Sequence, residues 1–132
     1  MNIGQAAKIS GVSAKMIRYY ESIGLIAGAA RTLSGYRTYG DSEVQMLRFI
    51  KRARDLGFSI ESISELLALW RDHSRHSADV KKLALNHIAE LERKIAEMRS
   101  MVNTLSHLAH ACAGDNRPDC PILADLGGLP TA

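Results

Sequence analysis

Cys112 and Cys120 are the only thiols in this 132-residue sequence, and the step between them crosses Gly114, Asp115 and Pro118. Turn formers of that kind let the segment fold back and set two sulfurs face to face. In a reducing compartment such a pair is more often a metal or redox site than a structural disulfide. Three chemistries compete. A structural zinc centre wants four ligands in a tetrahedron, so His107 and His110, or His73 and His76 from a second chain, would have to complete it. A redox disulfide is the second, although the spacing is unlike Cys-x-x-Cys. A soft monovalent ion such as Cu(I) is the third: it accepts two thiolates in a nearly linear arrangement and needs no further ligand. Charge separates the first from the last. Two thiolates around a monovalent ion leave one negative charge, whereas around a divalent ion they leave none and the ion still seeks ligands.

The cysteines follow a stretch with a seven-residue repeat. Ile88, Ile95, Val102 and Ala109 make one series, and Ala84, Leu91, Met98 and Leu105 make a second, interleaved one. This is an a/d seam, with Glu92, Arg93, Lys94, Glu97 and Arg99 left for water or the seam's edge. The pattern predicts a helix over residues 77–111, capped by Ser77 and roughly 50 Å long at 1.5 Å per residue. A chain of this size cannot cover such a seam by itself, so a homodimer is expected, the alternative being a long core helix in a monomeric bundle. Heptads alone leave the orientation of the two helices open.

Charge separates the two halves of the chain. Residues 1–54 carry nine Lys/Arg against Glu21, Asp41 and Glu43, while the remaining residues carry eight bases against eleven acids, within a net charge of +3. A polyanion would meet the first half and avoid the second. An apolar fraction of 46% suffices for a sizeable core. Nothing approaches the eighteen apolar residues of a membrane span, and the start lacks a secretion signal, so a soluble, cytoplasmic protein with no membrane partner is expected.

The basic half reads as helices around a short wing. Residues 2–9 make a first helix, Gly11 a left-handed turn, and Ser13 a cap for a second helix that buries Ile17 and Tyr20 and exposes Lys15, Arg18 and Tyr19. A helix, a short glycine turn and a basic second helix form a helix-turn-helix signature, whose second helix can enter a major groove about 12 Å wide. Two short strands turning at Leu33-Ser34-Gly35 carry Arg31 and Arg37, whose guanidinium forks suit phosphate. A third helix, with Ser42 and Gln45 as a capping box, runs to about Leu56 with Val44, Leu47, Phe49, Ile50 and Ala53 inward. Phe58 is a core position, and Ser59 caps a fourth helix with Ile63, Leu66, Leu67 and Trp70 inward. The tail beyond Ala113 reads as a loop with one helical turn at residues 122–126. No Ser/His/Asp arrangement, phosphate-binding glycine loop or carboxylate pair points to an enzyme, and His107 with Cys112 is too thin a basis for a thiol catalyst.

Several stretches carry a resemblance. Met-Asn-Ile-Gly-Gln-Ala-Ala-Lys at residues 1–8, Gly-Val-Ser-Ala-Lys-Met-Ile-Arg-Tyr-Tyr-Glu at 11–21, Gly-Leu-Ile at 24–26 and Gly-Tyr-Arg-Thr-Tyr at 35–39 are similar to the MerR family of transcriptional regulators. Arg-His-Ser-Ala-Asp-Val-Lys at 75–81, and Cys112 to Cys120 followed by Pro121-Ile122, resemble its copper-responsive branch. The resemblance implies a mainly α fold. A winged helix-turn-helix DNA-binding domain with connecting helices would span residues 1–72, an antiparallel coiled-coil dimerisation helix 73–111, and a metal-binding loop and tail 112–132. It implies promoter DNA contacts from Lys15, Arg18, Tyr19 and Tyr20 on the recognition helix, Tyr20 chiefly packing it in place, and from Arg31, Tyr36 and Arg37 on the wing. It further implies one Cu(I) per chain on Cys112 and Cys120, with Ag(I) or Au(I) as other effectors, and Ser77 of the other chain near the site, where relatives that sense divalent ions carry cysteine. The implied activity is metal-dependent distortion of a promoter spacer that realigns it for RNA polymerase.

Overall fold

A computed structural model describes residues 1–28, 30, 31, 35 and 37–128, with backbone alone at Ala30, Arg31 and Arg37. The chain divides into two compact units, Met1–Leu83 and a second beginning at Ala84.

In the first unit, helix α1 (Ile3–Ser10) begins at Asn2, whose side chain accepts the Gln5 N–H while the Gln5 side chain accepts the Asn2 N–H. This reciprocal box satisfies two donors that a helix start leaves orphaned. Gly11 ends the helix in the left-handed region, φ 77°, as its place in the turn requires. Helix α2 (Ala14–Ser22) starts from Ser13, whose hydroxyl accepts the Met16 N–H at 3.2 Å, and it buries Ile17 and Tyr20 as expected. Strands β1 (Ala30–Arg31) and β2 (Arg37–Thr38) pair antiparallel, Ala30 with Thr38 and Arg31 with Arg37. Most of the turn expected at residues 33–35, and Tyr36 with it, lies outside the described residues.

Helix α3 (Asp41–Asp55) buries Val44, Leu47, Ile50 and Ala53, but it does not use the expected Ser42/Gln45 box. Its flanking residue is Gly40, whose N–H donates to the Glu43 carboxylate at 3.0 Å. An ionised acceptor in the first turn also suits the helix dipole, which gives Glu43 the advantage over Gln45. Helix α4 (Ile60–Arg71) starts from Ser59, whose hydroxyl accepts the Ser62 N–H, and buries Ile63 and Leu67. Phe49 and Trp70, expected inward, are only half-buried. They stack on each other instead, with ring centroids 4.7 Å apart, and Phe58 likewise lines the edge of the core. The core joins all four helices to the wing through Ala6, Ile17, Tyr20, Tyr39, Leu47, Ile50 and Ile63.

Helix α5 (Ser77–Ala111) has the predicted extent. Ser77 is its first residue rather than its cap. His76 holds the flanking position, and its carbonyl accepts the Asp79 N–H at 3.0 Å. From Ala84 onward all eight seam residues are exposed: Leu91 at 36%, Ile95 at 56% and Met98 at 63% show how much apolar surface the single chain leaves open. The polar side pairs within itself, Arg93 meeting Glu97 at 2.7 Å and Glu90 at 3.6 Å. Only Leu108 is buried along this helix among the described residues. The tail is a loop that carries the expected helical turn as helix α6 (Pro121–Leu126), which starts one residue earlier, with Pro121 in its first turn, where a missing N–H costs nothing. No helix is long and apolar enough to cross a membrane among the described residues.

Candidate metal centre and nucleic-acid interface

Cys112 directly follows α5, its N–H bonded to the Ala109 carbonyl at 3.2 Å, and it lies one turn beyond buried Leu108. Cys120 occupies the flanking position of α6. The segment between them turns at Gly114, φ 66°, and is stapled by Asp115, whose carboxylate accepts the Arg117 N–H at 2.9 Å and its Nε–H at 2.8 Å. These constraints bring the two sulfurs to 4.0 Å, both thiols free and half-buried.

The Leu123 amide lowers the pKa of the Cys120 thiol below its ordinary value. Partial burial opposes that shift, while the Ile122 amide and the Cys112 thiol add to it, although no side-chain bond of ordinary cap geometry is made. A thiol held toward its thiolate form is a better metal ligand. Two metal–sulfur bonds of about 2.3 Å each span the 4.0 Å gap at an angle of about 120°, and opening the gap by about 0.6 Å makes them linear, so the pair can hold a single ion after a small movement. Among the described residues no group of three or more His, Cys, Asp or Glu side chains is gathered to hold a metal, so His107 and His110 of the same chain do not join the sulfurs.

On the first unit, Lys15, Arg18 and Tyr19 are exposed on α2 at spacings of three and four residues, which places them on one face. Tyr20 is buried in the core at 4% exposure, so it positions the helix and does not reach a groove. Of the wing residues, Tyr36 and the side chains of Arg31 and Arg37 lie outside the described set. Other bases near this face are engaged within the domain, Arg48 with the Ile9 carbonyl at 3.5 Å and Lys51 with Asp55 at 3.4 Å.

Two features of this surface escape a reading of the sequence. The Tyr39 hydroxyl donates to the Glu21 carboxylate at 2.6 Å, tying the end of the wing to the last turn of α2. The Tyr39 N–H also donates to the Met1 carbonyl at 2.7 Å, and the Met1 nitrogen donates back to the Tyr39 carbonyl at 2.8 Å. A helix-turn-helix and a wing are therefore fixed to one another by a residue that sequence alone presents as one more strand tyrosine.

A basic, wing-supported recognition helix followed by a long helix matches known proteins along most of its length. The family description "MerR HTH family regulatory protein" fits residues 1–69, and "MerR, DNA binding" fits residues 44–108. The chain belongs to the MerR family. MerR-family membership makes it a DNA-binding transcription regulator and not an enzyme. It is 69% identical over 126 residues to the transcriptional regulator HmrR of Sinorhizobium medicae, covering 96% of this chain and 86% of that one. It is 68% identical over 126 residues to heavy metal-dependent transcription regulator 2 of Rhizobium meliloti, with the same coverage. Among solved structures it is similar to the MerR-type regulator PbrR691 of Ralstonia metallidurans in complex with lead(II), with TM-score 0.84, 31% identity and coverage of 96% of this chain and 98% of that one.

Proposed function

We propose that this MerR-family chain is a Cu(I)-responsive regulator that binds promoter DNA as a homodimer and activates copper efflux or detoxification genes in the cytoplasm. Two sulfurs 4.0 Å apart, with no third donor gathered beside them among the described residues, carry this conclusion. The metal-dependent naming of the Rhizobium meliloti relative and the lead(II) bound to PbrR691 support a metal effector, and the donor set selects among metals. Two thiolates satisfy a soft monovalent ion and leave a divalent one short of ligands, so Cu(I), Ag(I) and Au(I) are the expected effectors.

Residues 1–72 bind the operator through Lys15, Arg18 and Tyr19, with Arg31, Tyr36 and Arg37 acting from the wing. Residues 73–111 pair two chains antiparallel along the exposed seam, and residues 112–132 hold one ion per chain. Ser77 begins α5 and Cys112 follows its last residue, so in this reading the serine beside Cys112 comes from the partner subunit. Ser77 of the partner subunit supplies no sulfur there, which keeps the donor count at two.

A bound monovalent ion supplies one positive charge and a bond to each sulfur. Cys112 then fixes the end of α5 to Cys120 at the start of α6, and the order gained there favours one of two dimer shapes on the same DNA. Roughly 5.5 kcal/mol of differential affinity would take such an equilibrium from 1:99 to 99:1. Bending and untwisting a promoter spacer costs on the order of several kcal/mol, within the same range. The favoured shape realigns the promoter elements for RNA polymerase.

X-ray absorption on anaerobic protein tests this directly. One Cu(I) per chain with two sulfur neighbours, together with Cu(I)-dependent transcription in vitro from a promoter with an overlong spacer, is the expected result. Three or four ligands around the ion, or equal uptake after both cysteines are changed to serine, would remove the proposal.

A further inference from the structure

We infer that Cys112 and Cys120 also form an oxidant-sensitive site, whose closure to a disulfide within the loop by a peroxide blinds the chain to metal while the DNA-binding unit keeps its operator. The consequence for metal rests on the function proposed above; the closure itself does not.

The two sulfurs are already neighbours, and a disulfide needs 4.0 Å to shrink to about 2.05 Å, a movement of about 1 Å by each. Gly114 and the Asp115–Arg117 staple shape the turn that makes them so, and both thiols are reduced and half-exposed. No other cysteine in the chain competes for either one. A site made to present two sulfurs to a soft ion presents the same two sulfurs to a small electrophile.

The chemistry balances with hydrogen peroxide as the oxidant. One sulfur, as its thiolate, attacks a peroxide oxygen; the O–O bond breaks, and the departing hydroxide takes up a proton to become water. That sulfur is now a sulfenic acid, oxidised by two electrons. The second sulfur attacks it, the S–S bond forms, the S–O bond breaks, and the hydroxide leaves with the second thiol's proton as another water. One peroxide and two thiols give one disulfide and two waters. Both sulfur lone pairs that would bind an ion are then held in an uncharged bridge.

Helix α2, which carries Lys15, Arg18 and Tyr19, belongs to the other compact unit, which contains no cysteine. Oxidation should therefore act on metal uptake and leave the operator affinity in place. Biologically, this would hold the chain in its metal-free form during oxidant stress.

The test uses full-length reduced protein treated with one equivalent of hydrogen peroxide per chain. Digestion on the amino side of Asp115 and Asp119 separates the cysteines, so a disulfide appears as two linked peptides that dithiothreitol releases. The expected product is that link in protein that still runs as a single chain on a non-reducing denaturing gel, with Cu(I) uptake falling from one per chain to none in chelator competition and operator affinity unchanged within about twofold. A C112S variant must give no such link. Cross-chain disulfide dimers or sulfinic acid as the main product would overturn the inference, as would a linked protein that still takes up Cu(I). If the reduced protein takes up no Cu(I) and yet forms the link, the proposed function fails and the oxidation site stands. If it takes up Cu(I) and forms no link, this inference fails alone.

Discussion

The two sulfurs make strict demands of single substitutions. Changing Cys112→Ser or Cys120→Ser keeps the size of the side chain and removes a soft ligand. Each variant should lose Cu(I)-dependent transcription while holding its operator affinity within about twofold, read by fluorescence anisotropy. Ser77→Cys is the converse. A third sulfur from the partner's helix should raise affinity for Zn(II) or Hg(II) by at least about tenfold, and unchanged affinity would remove Ser77 from the pocket. Asp72 gives a prediction of a different kind. Its carboxylate accepts both the N–H and the hydroxyl of Ser74, at 2.9 Å and 2.6 Å, and these bonds set its pKa below the usual 3.8. A carboxyl depressed on folding adds stability above its unfolded pKa, and that stability is lost as pH falls through the folded one. An NMR titration of Asp72 should thus show a midpoint under 3.8, with the Ser74 amide losing protection over the same interval; a midpoint at or above 3.8 would contradict the turn. The cysteines were legible because the chain has no others. Asp72 was not, because its partner is a serine only two places away in a stretch of polar residues.

Among the elements, the four helices of the first unit were legible where apolar spacing and caps agreed. Ser13 and Ser59 are such caps, each followed by a residue three places on whose N–H it accepts. The start of α3 was misread because Ser42 and Gln45 offer both halves of a capping box while Gly40 and Glu43 offer only the Glu43 half, and only the backbone shows that Gly40 is the last extended residue. The link from the wing to α2 was invisible for a plainer reason: Tyr39 and Glu21 are 18 positions apart. Tyr39→Phe deletes that hydroxyl and nothing else. It should cost about 1.5 kcal/mol in urea unfolding, as loss of a hydrogen bond to a charged group does. Because no phosphate contact is removed, operator affinity should fall while the slope of binding against salt stays as it was. A flatter slope would mean that freeing the wing from α2 has withdrawn a charged side chain from the duplex.

At the scale of the whole molecule, the seam's repeat was legible and the direction of its pairing was not, since a seven-residue period fixes which face pairs but not in which direction. The proposed metal pocket would supply the missing constraint. If Ser77 of the partner subunit closes the site of Cys112, the two helices must mirror one another about a point between residues 94 and 95. Ala84 then faces Leu105 of the other chain and Leu91 faces Met98, every one of them an exposed apolar position on the isolated chain. Introduced cysteines read this out in a background where Cys112 and Cys120 are serine. The double variant Ala84→Cys with Leu105→Cys should cross-link two chains under mild oxidation, while each single variant should not, because like positions lie about 30 Å apart along an antiparallel pair at 1.5 Å per residue. Parallel helices would instead let each single variant link to its own copy, and the double variant would link as well. That result would leave the DNA-binding unit untouched, but it would place Ser77 beyond reach of any thiol and break the path from metal to promoter at the dimer itself.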